Sequence, residues 1–422
     1  MLLRVPSSAV EERHATWLEL FFDLVIVVAV AQLAALLHDG PGRREVFLFV
    51  VCYYAMWSVW TSFTLYANVS GDLTRIRSML LAMFGIAIMA AAVPHVIRGD
   101  PAWFIAAYVF CRLMGAGSWK RTSRIMTEWP GVQQAAGVIP WIASLGFEPP
   151  VRYYLWAAGI VLDVVVSLVR SRHPEQLLAE EQRELEEAQR HRDRRLGILR
   201  RLRLSRPGVP AAAAAPRLQA ARPDRPHLGE RLGLFVIIVL GEAVAQLIDA
   251  ASDVERWELG LMATLAAGFG LLVALWWLTL RYGSDGAPTY GTRVFTLRLT
   301  MPAHYLMTGS IVLIAAGLGV LADHAGEPVP EASRWVLCSG AALYFLTVSL
   351  LGARGGAPRR WLAGWGLPAV VASLLLGVFG GPLAGWALAA SLFAVAGWHV
   401  LYRPGSAAAE TEPAAAEMDV SS

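Results

Sequence analysis

Five carboxylates and two guanidinium groups fall inside runs of sequence that are otherwise apolar: Glu19, Asp23, Asp163, Glu230 and Glu242 against Arg112 and Arg231. A charged side chain at the centre of a bilayer costs roughly 2.5–3.5 kcal/mol on insertion scales, so such groups face protein or water. They pair with one another, or they serve protons and ions. The excess of acids over bases suits holding protons or cations rather than anions. The stretch His227–Asp249 concentrates this chemistry. On a helix at 100° per residue, Arg231, Glu242, Gln246 and Asp249 fall within about 60° of one another. The nearest base to Glu242 on its own helix is Arg231, eleven residues or about 16 Å away. Glu242 must therefore find a partner on another helix, carry a proton, or face a watery cavity.

Two readings of these charges stand side by side. In the structural one, Arg112 is satisfied by Asp23 and Asp163, and Arg231 by Glu19 or Glu230, because buried charges need partners whatever their role. In the functional one, Asp23 and Glu242 bind a proton or cation, and Arg112 orders the carboxylates. His304, flanked by Pro302 and Tyr305, is the histidine placed to act as a proton relay; His95 and His399 lie near span ends and read as interfacial or hydrogen-bonded rings. Trp57, Trp60, Trp276 and Trp277 read as bundle packing or interface anchors rather than a binding cage. There is no HExxH pair, no Cys/His cluster, no Ser-His-Asp order and no phosphate loop. No catalytic residue, metal or cofactor is expected, and an enzymatic role is the less favoured one.

The elements that position these residues are membrane helices. The 422 residues are 56% hydrophobic and 16% charged, against about 25% charged in soluble domains. Cys52, Cys111 and Cys338 all sit in apolar runs, so a disulfide framework is not expected. Lys120 is the single lysine among 36 basic residues, a bias typical of GC-rich bacterial genomes. The net charge of +3 excludes a nucleic-acid binder by the usual signature. No cleavable signal peptide is expected, since the apolar run from Leu20 is too long.

Runs of about 20 apolar residues predict twelve spans: 16–37, 46–66, 79–97, 102–119, 131–147, 152–170, 228–249, 257–281, 299–322, 335–352, 361–380 and 383–402. The fifth and eleventh are short or interrupted by Gly and Pro. With the N-terminus inside, 28 basic residues fall on the cytoplasmic side and six outside, so both termini are expected in the cytoplasm of a bacterial plasma-membrane protein. Asp23, Arg112 and Asp163 then lie at similar depth in the inner half of the membrane, with His304 near that level and Glu242 close to the midplane. An internal repeat supports the count. Shifting by 214 residues sets 20–33 (LFFDLVIVVAVAQL) over 234–247 (LFVIIVLGEAVAQL), with eight of fourteen positions identical. The expected fold is an all-α polytopic bundle of two parallel six-helix repeats, 1–170 and 227–403.

Between the halves, residues 171–226 begin as a charged, helix-favouring segment with i,i+4 pairs such as Glu186 and Arg190. They end in a Pro/Ala linker expected to be disordered. The tail, 404–422, is expected to be disordered and mildly acidic. The expected partners are membrane lipids and an unknown small solute, proton or cation, with homo-oligomerisation open.

The segments ATWLELFFDLVIVVAVAQLA (15–34) and HLGERLGLFVIIVLGEAVA (227–245) resemble the two signature segments of the bacterial low temperature requirement A proteins. The resemblance includes Glu19, Phe22-Asp23, His227, Glu230-Arg231 and Gly241-Glu242. It extends to Arg112 in AYVFCRLMG, Asp163 in IVLDVV and His304 in AHYLMTGSIVLIAAGL. It implies a bacterial multi-pass membrane protein linked to growth in the cold, and it brings no substrate or catalytic assignment. The Glu/Arg-rich insert is longer than the family leads one to expect, and the last three spans match only in character. A fainter similarity is to organellar potassium channels of six plus six helices, whose repeats open with Phe-Ser-Asp. Phe21-Phe22-Asp23 is close to that pattern, whereas the second half has Phe235-Val236-Ile237.

Overall fold

The computed structural model describes residues 14–38, 40–71, 74–201, 215–252, 254, 256–281 and 295–401. The chain forms an all-α bundle, and among the described residues nine helices are long and apolar enough to cross a membrane. The first half holds α1 (Trp17–Ala35), α2 (Arg43–Ser70), α3 (Ile76–Ile97), α4 (Ala102–Trp119), the short α5 (Val138–Ala143) and α6 (Val151–Arg170). A charged helix, α7 (Pro174–Arg201), leads towards the second half. There α8 (Arg225–Ser252), α9 (Leu259–Trp276), α10 (Leu297–Asp323) and α11 (Glu331–Gly355) are followed by α12 (Arg359–Trp361), α13 (Leu367–Phe379) and α14 (Gly385–Leu401). The helices α2 and α10 are almost wholly buried, so the core runs along them. By contrast, α6 and α13 expose broad apolar faces, as lipid-facing helices do.

The turns gather at two ends of the bundle. At one end Arg152 donates to Gly99 O (2.9 Å), Arg44 donates to Tyr153 Oη (3.0 Å), and His38 meets Asp323 (3.2 Å). At the other end Arg170 pairs with Glu180 (3.2 Å) and Glu128 with Arg225 (2.8 Å). Glu128 also accepts from Leu297 N (2.9 Å), satisfying an amide that the first turn of α10 leaves without an intrahelical partner.

The sequence between α4 and α6 does not form a continuous helix. A 3-10 turn (Pro130–Gln133) is followed by an irregular stretch, then by α5 and a second 3-10 turn (Ser144–Gly146). Close packing against α6 gives the reason. A Cβ on Gly131 would stand 2.1 Å from Ser167 Oγ, and one on Gly137 would stand 2.5 Å from the Asp163 carboxylate and 2.6 Å from Gly159 O. Only glycine admits that approach, and glycine and proline together weaken the helix. The eleventh expected span is similarly modified, passing through a π-turn (Leu362–Gly366) into α13.

The insert is partly docked. A short parallel pair joins β1 (Arg124–Ile125) to β2 (Gln219–Ala220), and Leu218 N donates to Gln182 Oε1 (2.8 Å). Residues 215–224, expected to belong to a disordered linker, thus acquire backbone partners that a sequence rich in Pro and Ala does not announce. The remainder of the linker, 202–214, and the tail, 404–422, lie outside the described residues.

Candidate functional site: two buried ion-pair centres and a lone carboxyl

The first centre joins the two halves. Thr16 and Glu19 form a capping box at the start of α1: Glu19 N donates to Thr16 Oγ1 (3.3 Å), and Thr16 N to Glu19 Oε2 (2.8 Å). That cap fixes the Glu19 side chain beside α8, where Arg231 Nη1 lies 3.3 Å from Oε1 and His227 Nε2 3.4 Å from Oε2. One turn further along α1, Asp23 receives two hydrogen bonds from Arg231, Nε to Oδ2 at 3.0 Å and Nη2 to Oδ1 at 2.7 Å. Trp60 Nε1 adds a third at 2.8 Å. Arg231 is fully buried, and Glu19 and Asp23 nearly so. The fork of the guanidinium suits this two-point contact.

Asn68 near the end of α2 completes the centre. Its amide nitrogen lies 2.9 Å from His227 Nδ1, and its carbonyl oxygen accepts from Asp224 N (2.9 Å). An amide nitrogen can only donate, so His227 carries its proton on Nε2, facing Glu19.

The second centre belongs to the first half. Arg112 on α4 donates to Asp163 on α6 (2.9 Å) and to the carbonyls of Gly131 (3.2 Å) and Gln134 (2.9 Å). Asp163 Oδ1 accepts from Gly137 N (3.1 Å). The ion pair thereby satisfies the backbone groups that the interrupted fifth segment leaves without helical partners, as non-helical backbone inside a bilayer requires. A small cavity beside it is lined by Ser58, Thr61, Arg112 and Asp163 among others.

Two tryptophans on α2 connect the centres. Trp57 Nε1 donates to His304 Nδ1 (3.1 Å), Trp60 stacks on the same imidazole with centroids 5.7 Å apart, and His304 Nε2 faces Leu232 O (3.3 Å). The indole can only donate, so His304 is held as the neutral Nε2–H tautomer with both nitrogens engaged.

Glu242 stands apart. It is buried, accepts from Gln246 Nε2 (2.7 Å), and makes no ion pair among the described residues. A Cβ on Gly319 of α10 would lie 3.4 Å from both Gln246 Oε1 and the His38 ring, so Gln246 sits one turn below the partly exposed His38–Asp323 pair.

Several sequence-based expectations change at this point. Arg112 does not meet Asp23; its carboxylate partner is Asp163, while Asp23 belongs to Arg231. Glu230 is not an interior acid. It is about one-third exposed and accepts from Ala15 N (3.1 Å), 3.7 Å from His14, at the rim. Of the two partners considered for Arg231, the structure selects Glu19 and adds Asp23. His227, Asn68, Trp57 and Trp60 enter the site as residues that the charge count missed. The signal for Asn68 was a lone amide two residues past the end of the second expected span. Among the described residues no group of three or more His, Cys, Asp or Glu could hold a metal.

A bundle whose described residues include nine apolar helices of membrane-spanning length is a multi-pass integral membrane protein. The family model described as Bacterial low temperature requirement A protein (LtrA) matches residues 14–402, and the chain belongs to that bacterial family. It is also 26% identical over 322 residues to an uncharacterised protein of Rhizobium meliloti (strain 1021), covering 73% of this chain and 68% of that protein. No solved structure matches.

Proposed function

We propose that this protein is a cation- or proton-linked transporter or channel, not an enzyme, in which Glu242 takes up the ion. The carrying observation is that, among the described residues, Glu242 is the buried acid without a guanidinium. Glu19 and Asp23 share Arg231, and Asp163 has Arg112. Those pairs have the form of structural clamps, whereas Glu242 is held by one amide alone. An acid kept inside a span without a base is the arrangement expected of a group that exchanges protons or cations. The His38–Asp323 pair and Gln246 mark a polar approach to it from one end of the bundle.

The same reading takes the chain across the membrane twelve times, with the fifth crossing broken, and both termini in the cytoplasm. The alternation of turns between the two ends supports this, as does the concentration of arginine at one of them. Two related halves are supported by matching packing: α1 on α3 and α3 on α4, as α8 on α10 and α10 on α11. The broken segment, with carbonyls turned to Arg112, is the kind of discontinuity that transporter folds place near their sites.

The test is flux of protons, sodium or potassium in proteoliposomes of the purified chain. Glu242→Gln should abolish flux and leave the protein folded. Unchanged flux in that variant, or none in the parent protein, rejects the reading. A second reading, a non-transporting enzyme or sensor working through an inner-leaflet cavity and the insert, is favoured by the docking of α7 through Arg170 and Gln182. Replacing 174–214 by a flexible linker separates the two, since a transporter should retain flux.

A further inference from the structure

We propose that the groove between the start of α3 and the end of α4 binds the headgroup of an anionic phospholipid. The groove has a volume of about 760 Å³ and is rimmed by Arg75, Arg77 and Arg121. All three arginines are exposed and make no ion pair among the described residues, and no acidic side chain among those residues lines the groove. Three cations around one groove repel one another, and an anion relieves that repulsion. Ser78 and Ser118, each more than nine-tenths buried, also line the groove, and their hydroxyls make no hydrogen bond among the described residues. They supply the donors that a phosphate oxygen takes up alongside guanidinium groups.

The walls decide between a lipid and a soluble anion. Ile76, Leu81 and Leu113 line the groove and are exposed. Phe84 and Phe110, one turn further along the two helices, are exposed as well. A site for free phosphate has no use for an apolar seam leading away from it. A phospholipid does, because its acyl chains must lie against apolar surface while its phosphate stays at the level where the helices emerge. Gly117 opens the α4 side, with nothing within 4 Å of where its Cβ would stand. This site shares no residue with the Glu242 region and does not depend on transport.

The test is native mass spectrometry of the delipidated full chain with dioleoyl phosphatidylglycerol, dioleoyl phosphatidylcholine or inorganic phosphate. The parent protein should retain phosphatidylglycerol preferentially. R75Q/R77Q/R121Q should lower that retention about tenfold or more, by loss of three juxtamembrane charges. Gly117→Trp should lower it by filling the groove without changing charge, whereas Arg98→Gln, at the opposite end, should not. Equal retention of the two lipids, unchanged retention in the triple variant and in Gly117→Trp, an equal loss in Arg98→Gln, or complete displacement by millimolar phosphate each overturns the proposal.

Discussion

Arg231 and Asp23, 208 residues apart in sequence, meet in a two-point ion pair at 3.0 and 2.7 Å inside the bundle. The contact joins the first helix of each half, and Glu19 and His227 extend it towards one end. Charges so deeply buried carry a desolvation cost that their attraction must offset, so removing one partner does more damage than replacing both.

Arg231→Gln leaves two carboxylates without their cation and should destabilise the purified protein by about 3–5 kcal/mol, or prevent its assembly. The triple replacement Glu19→Gln, Asp23→Leu, Arg231→Met should recover much of that loss. Thermal unfolding in detergent, followed by tryptophan fluorescence, measures both. A single variant as stable as the parent protein contradicts the clamp.

Glu242→Gln should behave differently. No base is left uncompensated, and an amide can still hydrogen-bond Gln246, so the stability change should stay within about 1 kcal/mol. Asp163→Asn, which strands Arg112, should cost about 3–5 kcal/mol in the same assay. Equal losses at the two positions would remove the distinction between clamp and ion-binding acid.

Gly137→Ala forces a methyl group to within 2.5 Å of the Asp163 carboxylate and 2.6 Å of Gly159 O. Overpacking of this kind costs about 1–3 kcal/mol, and here it also strains the hydrogen bond from Gly137 N. Gly146→Ala, with open space around the added carbon, is the control and should change stability by no more than about 0.5 kcal/mol. A thermal-shift comparison of the two variants decides it.

The docking of α7 should weaken as pH rises. Burial holds the Glu181 carboxyl above its ordinary value, although Arg170 opposes the shift. The docked state therefore binds the proton more tightly than the undocked one, so its stabilisation is present at low pH and is lost as pH rises through the shifted value. Cleavage at the arginines of α7, by a protease whose rate is calibrated on a free peptide at each pH, should be relatively slower at pH 5 than at pH 7.

The membrane class and most helix positions were legible in the chain, because each follows from local composition. About twenty apolar residues make a span wherever they occur, and a charge inside one must be accounted for. Even the weakness of the fifth span was visible in Gly131, Gly137 and Pro140. Its consequence was not, because the fate of an unwound backbone depends on which side chain arrives to satisfy it. Arg112 does so from another helix.

Pairing was decided by the tertiary structure. At the level of sequence, Asp23 and Asp163 were matched to Arg112 and Glu19 or Glu230 to Arg231 by depth alone, and depth along a helix says nothing about rotation around it or about which helices touch. Packing of α1 on α8, and of α4 and α6 on the broken segment between them, assigned Asp23 to Arg231 and Asp163 to Arg112. It moved Glu230 to the rim and left Glu242 with an amide. An ion pair is a short-range contact between two surfaces, so it exists only once the helices that carry it have chosen their neighbours.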